Sequence, residues 1–272
     1  VHSRAVADDP RAAPIGVFDS GVGGLSVLRE LRRLLPHEDV VYVADHAYVP
    51  YGRRDANEIV ARSEAIAGHL IAAGAKLVVV ACNTATVSAI AHLRARFDAP
   101  FVGTEPAVKP AAATSATGVV GVLATLATLG GGAFQRLVET HAADVRVLTV
   151  PARGLVERIE AGDLDGPETR ALVAEHLAPL VAAGIDRLVL GSTHFPFLRD
   201  VIADVVGADV LLVESGPAIA RQSEAMLAER GLLRPAGRAG TLAVRSTRVD
   251  EGTAALVRRL LGEDVGVVQV DC

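Results

Sequence analysis

Two stretches of this chain, 110 positions apart, carry side chains that could move a proton. The first runs Leu77-Val-Val-Val-Ala-Cys82-Asn83-Thr84 and the second Leu188-Val-Leu-Gly-Ser192-Thr193-His194. Each is an apolar run ending in a small residue, then a thiol or hydroxyl, then hydrogen-bonding groups. Two such tips aimed at one substrate from opposite sides form the arrangement that inversion of a carbon centre needs. One tip carries a thiol and the other only a hydroxyl, so the pair is chemically unequal.

Each motif also has a plainer reading. A lone cysteine is often a core residue, but Cys82 directly follows a buried run at a predicted helix start, where thiol pKa values fall. Ser192-Thr193-His194 could cap the helix expected around 197–205. It could also be a Ser–His nucleophile, although the local sequence is not the G-x-S-x-G elbow. Phe18-Asp19-Ser20-Gly21-Val22-Gly23-Gly24-Leu25-Ser26 could be a dinucleotide loop, with Asp45 as the ribose acid. Its G-x-G-x-x-S spacing lacks the third glycine. It could also be a glycine-rich helix entry, or a loop that sets Asp19 and Ser20 against a small polar ligand near free helix N–H groups. Pro50-Tyr51-Gly52 alone reads as a turn. Thr125 and Thr128 could cap a helix or hold a carboxylate. No His, Cys and carboxylate set has metal-ligand spacing, so no metal is expected.

These groups need elements to place them. Apolar runs at 15–18, 40–44, 77–81, 101–103, 119–123, 145–150, 188–190 and 210–213 read as strands. Helical stretches are expected at 24–35, 56–73, 86–95, 134–142, 167–183 and 218–230, with strand, helix (250–261) and a last apolar run (265–270) in the tail. Such alternation predicts parallel sheets in an α/β fold. Ligands in these folds sit beyond the carboxyl ends of the strands, and the polar clusters fall at those ends.

Composition is compatible. Of 272 residues, half are hydrophobic and 22% charged, which supplies a sizeable core in one large or two modest domains. Mean hydropathy is +0.36, but no apolar run is long enough for a membrane span. The chain has no Trp, three Tyr, six Phe and a net charge of −5. It therefore lacks the stacking platforms and basic stripe of a nucleic-acid binder. Two cysteines, Cys82 and Cys272, fit a reducing cytoplasm better than a disulfide framework. Residues 1–13 have no apolar h-region and are expected to be a disordered tail.

Taken together, four segments resemble glutamate racemase, of the aspartate/glutamate racemase superfamily. They are Gly16-Val-Phe-Asp-Ser-Gly-Val-Gly-Gly-Leu25, Asp45 through Pro50-Tyr51-Gly52, Ala81-Cys-Asn-Thr-Ala-Thr86, and Leu190-Gly-Ser-Thr-His-Phe-Pro-Phe-Leu198. The match runs from about Pro14 to about Leu261. It implies a cofactor-independent racemase of two pseudo-symmetric parallel-sheet lobes, 14–104 plus 213–272 and 105–212, with the site in the cleft. It also implies a D-glutamate supply for peptidoglycan and a homodimer. In that family one cysteine takes the α-proton and another returns a proton to the opposite face. Cys82 matches the one acting on D-glutamate, and Ser192 falls where the other is expected. The substrate-holding positions match Asp19, Ser20, Pro50, Tyr51, Gly52, Asn83, Thr84, Thr125, Thr128, Thr193 and His194. The helper groups match Asp19, His194 and Glu160, with Glu157 the alternative for the last.

Departures from the family pattern go beyond Ser192. Gly131 and Phe134 stand at a usual Ser and Tyr, Ala152-Arg153 at a Cys-Pro pair, and Arg245-Ser246-Thr247 near a usual Thr-Gly. A serine hydroxyl is far less acidic than a thiol and is a poor base unless another group takes its proton. The sequence thus predicts one working face, with His194 as a substitute on the other. Two further readings stay open: a one-cysteine relative with different proton chemistry, such as decarboxylation, and a non-catalytic glutamate-binding protein.

Overall fold

The computed structural model describes residues 9–272. The chain alternates strand and helix through β1 (Ile15–Asp19), α1 (Leu25–Leu34), β2 (Val40–Ala44), α2 (Ala56–Ala72), β3 (Leu77–Val80), α3 (Asn83–Arg96) and β4 (Phe101–Gly103). A second series follows: α4 (Val108–Thr114), β5 (Val119–Ala124), α5 (Leu126–Gly130), α6 (Gly132–His141), β6 (Arg146–Pro151), α7 (Leu155–Glu160), α8 (Pro167–Ala182), β7 (Arg187–Gly191), α9 (Arg199–Val206) and β8 (Leu211–Val213). The chain then returns through α10 (Gly216–Glu229), β9 (Leu242–Ser246), α11 (Glu251–Leu261) and β10 (Val267–Gln269).

The strands form two sheets, β10-β9-β2-β1-β3-β4 and β6-β5-β7-β8. Every pairing is parallel. The order β2-β1-β3-β4 in the first sheet recurs as β6-β5-β7-β8 in the second. β3 and β7 are therefore equivalent strands, and so are β1 and β5. The two-lobed α/β expectation holds, and its pseudo-symmetry is a repeated strand order.

Burial explains the strand sequences. β1 and β3 are buried at every residue, so both faces must be apolar, as in parallel sheets covered by helices. α1 buries Leu25, Val27, Leu28 and Leu31 as one stripe, packed on α10. The chain crosses between sheets twice, after β4 and after β8. Ser215 Oγ donates to the Glu105 carbonyl at 2.7 Å and ties the two crossings together. No helix among the described residues is long and apolar enough to cross a membrane.

Three expectations need correction. α3 begins at Asn83 rather than 86, because polar Asn83 and Thr84 sit in the first turn, where helix N–H groups lack intrahelical partners. Val213 pairs with Val189 in the second sheet, so that sheet extends one residue past the expected boundary. In the expected tail, residues 1–8 lie outside the described residues, but Pro10–Ala12 form a 3-10 turn. Lys76 Nζ donates to the Arg11 carbonyl at 2.7 Å and to that of Leu232 at 3.0 Å, while also pairing with Glu38. Burial of that charge leaves it needing these partners.

Candidate active site

The two equivalent strand ends, after β3 and after β7, deliver Cys82 and Ser192 to one cavity of about 240 Å³ between the sheets. From the first sheet the wall also takes Ser20, Pro50, Tyr51, Gly52, Asn83 and Thr84; from the second it takes Thr125, Thr193 and His194. Eleven of the fourteen residues singled out from sequence thus line one cavity. Asp19, Glu160 and Thr128 lie behind the wall, each bonded to a residue on it.

Cys82 closes the N-terminus of α3, its sulfur accepting the Ala85 N–H at 3.4 Å. The Ser20 hydroxyl stands 4.0 Å away. The expected lowering of the thiol pKa does not occur in the resting site. Burial pushes it up to about 12, the nearby Asp19 adds to this, and the helix-start and Ser20 bonds oppose it. The thiol is therefore protonated at rest.

Asp19 is fully buried, and burial raises its pKa against the pull of His194 and the Gly21 N–H. Its carboxylate accepts from the Gly21 N–H at 2.8 Å, Ser20 Oγ at 3.2 Å and Thr193 Oγ1 at 3.0 Å. The last bond crosses from the first sheet to the second. A matching contact links the equivalent strands in the other sense, with Thr84 Oγ1 and Thr125 Oγ1 3.4 Å apart. Thr128 Oγ1 supports Thr125 Oγ1 at 3.0 Å.

On the second side, His194 Nε2 meets Glu160 Oε1 at 2.6 Å. Glu160 Oε1 also accepts the Val22 N–H at 2.9 Å, and Oε2 faces His46 Nε2 at 3.4 Å. Burial opposes ionisation of Glu160, but the two histidines outweigh it and hold the carboxyl at about 2. Burial likewise disfavours charge on His194, yet the bond to Glu160 leaves its pKa raised. Of the two glutamates weighed, Glu160 is thus the one bonded to His194. Glu157 lies on the cavity wall and pairs with Arg53 across the cleft.

Ser192 has no comparable support. Among the described residues its hydroxyl makes one bond, accepting the His194 backbone N–H at 3.4 Å. The His194 imidazole is committed to Glu160, so the Ser–His nucleophile reading has no hydrogen bond to carry it.

The glycine-rich loop serves close approach rather than a dinucleotide. A Cβ on Gly21 would overlap the Glu160 carboxylate, and one on Gly23 would overlap the His194 ring. Asp45 is no ribose acid either. Its buried carboxylate accepts from Tyr51 Oη at 2.6 Å, Thr247 Oγ1 at 2.8 Å and the Arg62 guanidinium at 3.0 Å. It anchors the cavity wall through Tyr51.

Arg53, Leu126, Gly154 and Val156 also line the cavity and were not anticipated. Arg53 follows Pro50-Tyr51-Gly52 directly, so its neighbourhood was the available signal. Leu126, Gly154 and Val156 carry no chemical signal. Ala152 and Arg153, noted only as departures, line it as well. Nothing local in the sequence pairs His46 with Glu160, which it meets only in the fold.

The chain matches the Asp/Glu/Hydantoin racemase family over residues 15–223. A glutamate racemase of Herpetosiphon aurantiacus is 55% identical over 229 residues, 84% of this chain and 90% of that protein. Among solved structures, a glutamate racemase isoform of Bacillus anthracis aligns with a TM-score of 0.87 and 29% identity, covering 96% of this chain and 98% of its own. The Escherichia coli glutamate racemase, solved in complex with L-glutamate, aligns with a TM-score of 0.83 and 32% identity, covering 95% and 98%. On the family match and that degree of identity, the chain belongs to the Asp/Glu/Hydantoin racemase family.

Proposed function

We propose that this protein interconverts L- and D-glutamate without a cofactor, moving the α-proton through the cleft between the Cys82 and Ser192 tips. The observation that carries the reading is the placing of these tips, from equivalent strands, on one cavity. The names and identities of the relatives support glutamate as the substrate.

Cys82 serves the D-glutamate face. Its raised pKa makes it a proton donor at rest; as a base it must hand its proton to a neighbour before it can take one from substrate. Ser20 and Asp19 are the polar groups on that side. The neutral side chains of Asn83, Thr84 and Thr125, with the backbone at Ser20, Tyr51, Gly52 and Thr193, hold the two carboxylates of the substrate. Asp19 fixes Thr193 and Ser20, and Glu160 fixes His194. Buried hydrogen bonds of this kind preorganise the site.

On the L-glutamate face the hydroxyl of Ser192 lacks a partner to take its proton. General acid–base groups act best with a pKa near the working pH, so inversion is slow, and His194 is the group left to move that proton, directly or through water. Its support is its place on the cavity wall and its bond to Glu160. The site therefore exchanges the α-proton of D-glutamate faster than it inverts the centre. Exchange into D₂O, followed by NMR for each enantiomer, tests this; no exchange from either overturns it.

The reading includes a cytoplasmic enzyme that supplies D-glutamate for peptidoglycan, consistent with two free cysteines. It also includes a homodimer, as the resemblance implies, which sedimentation velocity tests.

A further inference from the structure

We propose that His46 is a positioning residue for proton transfer on the Ser192 face, acting through Glu160 on His194. The inference rests on the racemase reading and adds a member to that side of the site.

His46 follows β2 and is buried. Its ring spans from the first lobe to the second. Nδ1 lies 2.8 Å from Ser246 Oγ at the end of β9, and Nε2 lies 3.4 Å from Glu160 Oε2 at the end of α7. With His194 Nε2 on Oε1, the Glu160 carboxylate is held between two imidazoles, one from each lobe.

Proton positions follow from the neighbours. Ser246 Oγ donates its single hydrogen to the Arg248 carbonyl at 2.6 Å. It must therefore accept from His46, which places a hydrogen on Nδ1. Nε2 faces a carboxylate oxygen, and a bare lone pair there would set two buried acceptors against each other. With a hydrogen on each ring nitrogen, His46 is a cationic partner for the second oxygen of Glu160.

This has a consequence for His194. A carboxylate whose only cationic partner is His194 holds that imidazolium tightly. A carboxylate shared with a second cation releases it more readily, because the added positive charge disfavours a proton nearby. His46 thereby keeps His194 able to give up and regain its proton beside a serine that cannot. Other titratable groups around this trio are Asp19 from β1, Tyr42 from β2, Glu157 from α7 and Asp250 before α11. His46 is the one that faces the second oxygen of Glu160.

The test uses the protein at rest, with histidines enriched in ¹³C at Cε1 and the His194 signal assigned by its loss in His194→Gln. In His46→Gln, which keeps a neutral donor toward Glu160, and in His46→Leu, the His194 titration midpoint should rise by about one pH unit, the low end of a nearby-charge effect. In turnover, the pH limb set by His194 should move by the same amount. A His194 midpoint unchanged in folded His46→Gln overturns the proposal and assigns His46 to packing alone. The resting titration needs no turnover, so it is decided separately from the racemase reading, which stands on exchange of the substrate α-proton.

Discussion

Thr193 Oγ1 donates to Asp19 Oδ2 at 3.0 Å across the cleft, joining the residue after Ser192 to the end of the first strand. Its pseudo-symmetric counterpart is the 3.4 Å contact between Thr84 and Thr125. In each case the end of a lobe's first strand meets a residue just past the other lobe's proton-transfer tip. The cross-bonds set the spacing of Cys82 and Ser192 from opposite sides. Thr193→Val, which keeps the shape and removes the donor, leaves buried Asp19 short of one bond. It should cost about 1–3 kcal/mol of stability and lower α-proton exchange more than it alters the fold. Denaturant unfolding and exchange rates measured together check this; unchanged exchange would assign the bond to stability alone.

The asymmetry of the two tips is reversible by one substitution. Ser192→Cys should raise inversion at least ~10²-fold, the lower range for a positioned acid or base, with little change in exchange from D-glutamate. Circular dichroism of the amino acid reports inversion. If Ser192→Cys inverts no faster, the defect lies elsewhere in the cavity, with Ala152-Arg153 on its wall the first positions to revert.

Cys82 should be a sluggish nucleophile toward external reagents despite its position at a helix start. A thiol pushed to about 12 carries roughly 10³-fold less thiolate at neutral pH than one near 9. In a Cys272→Ser background, alkylation by iodoacetamide at pH 8 should fall at least ~10²-fold below that of a free thiol. Alkylation at the free-thiol rate would show that the burial argument fails for this group.

The Glu160–His194 pair makes stability depend on pH at both ends. Glu160 has a depressed folded pKa of about 2, so its contribution is present above the ordinary carboxylate range and is lost as pH falls toward 2. His194 has a raised folded pKa, so its contribution is present below its unfolded pKa and is lost as pH rises through the folded one. The stability difference between the wild type and Glu160→Gln should therefore be greatest near about pH 5 to 6. Urea midpoints from pH 3 to 9 measure it, and a difference constant across that range contradicts the assignment.

Gly21 and Gly23 should resist even alanine, because a Cβ at either meets the Glu160 carboxylate or the His194 ring. Gly23→Ala should cost about 1–3 kcal/mol, as overpacking does, and displace His194 from the cavity. A crystal structure of the variant with the ring unmoved would refute this reason for the glycine.

Much of this site was legible because strand ends gather chemistry in parallel α/β folds. Cys82, Asn83 and Thr84 could be placed from the apolar run before them, and Ser192, Thr193 and His194 likewise. The resting state of Cys82 was not legible, because a helix start and burial push its pKa in opposite directions and only packing decides between them. Asp45 looked like a ligand-binding acid because sequence cannot reveal that Tyr51, Arg62 and Thr247 occupy its oxygens. The contacts of His46 are illegible in the sequence for the same reason, since Glu160 and Ser246 are distant in the chain. The short helices α4 and α5, rich in Ala and Thr, carry too few turns for a period to emerge.

The most direct measurement is proton NMR of the protein with D-glutamate, then L-glutamate, in D₂O, with handedness followed by circular dichroism. The account predicts that D-glutamate loses its α-proton signal much faster than its handedness changes, and that L-glutamate exchanges slowly. No loss of the α-proton from either enantiomer would contradict a glutamate-exchanging site. Equal exchange and inversion from both would contradict the claim that Ser192 leaves the second face impaired.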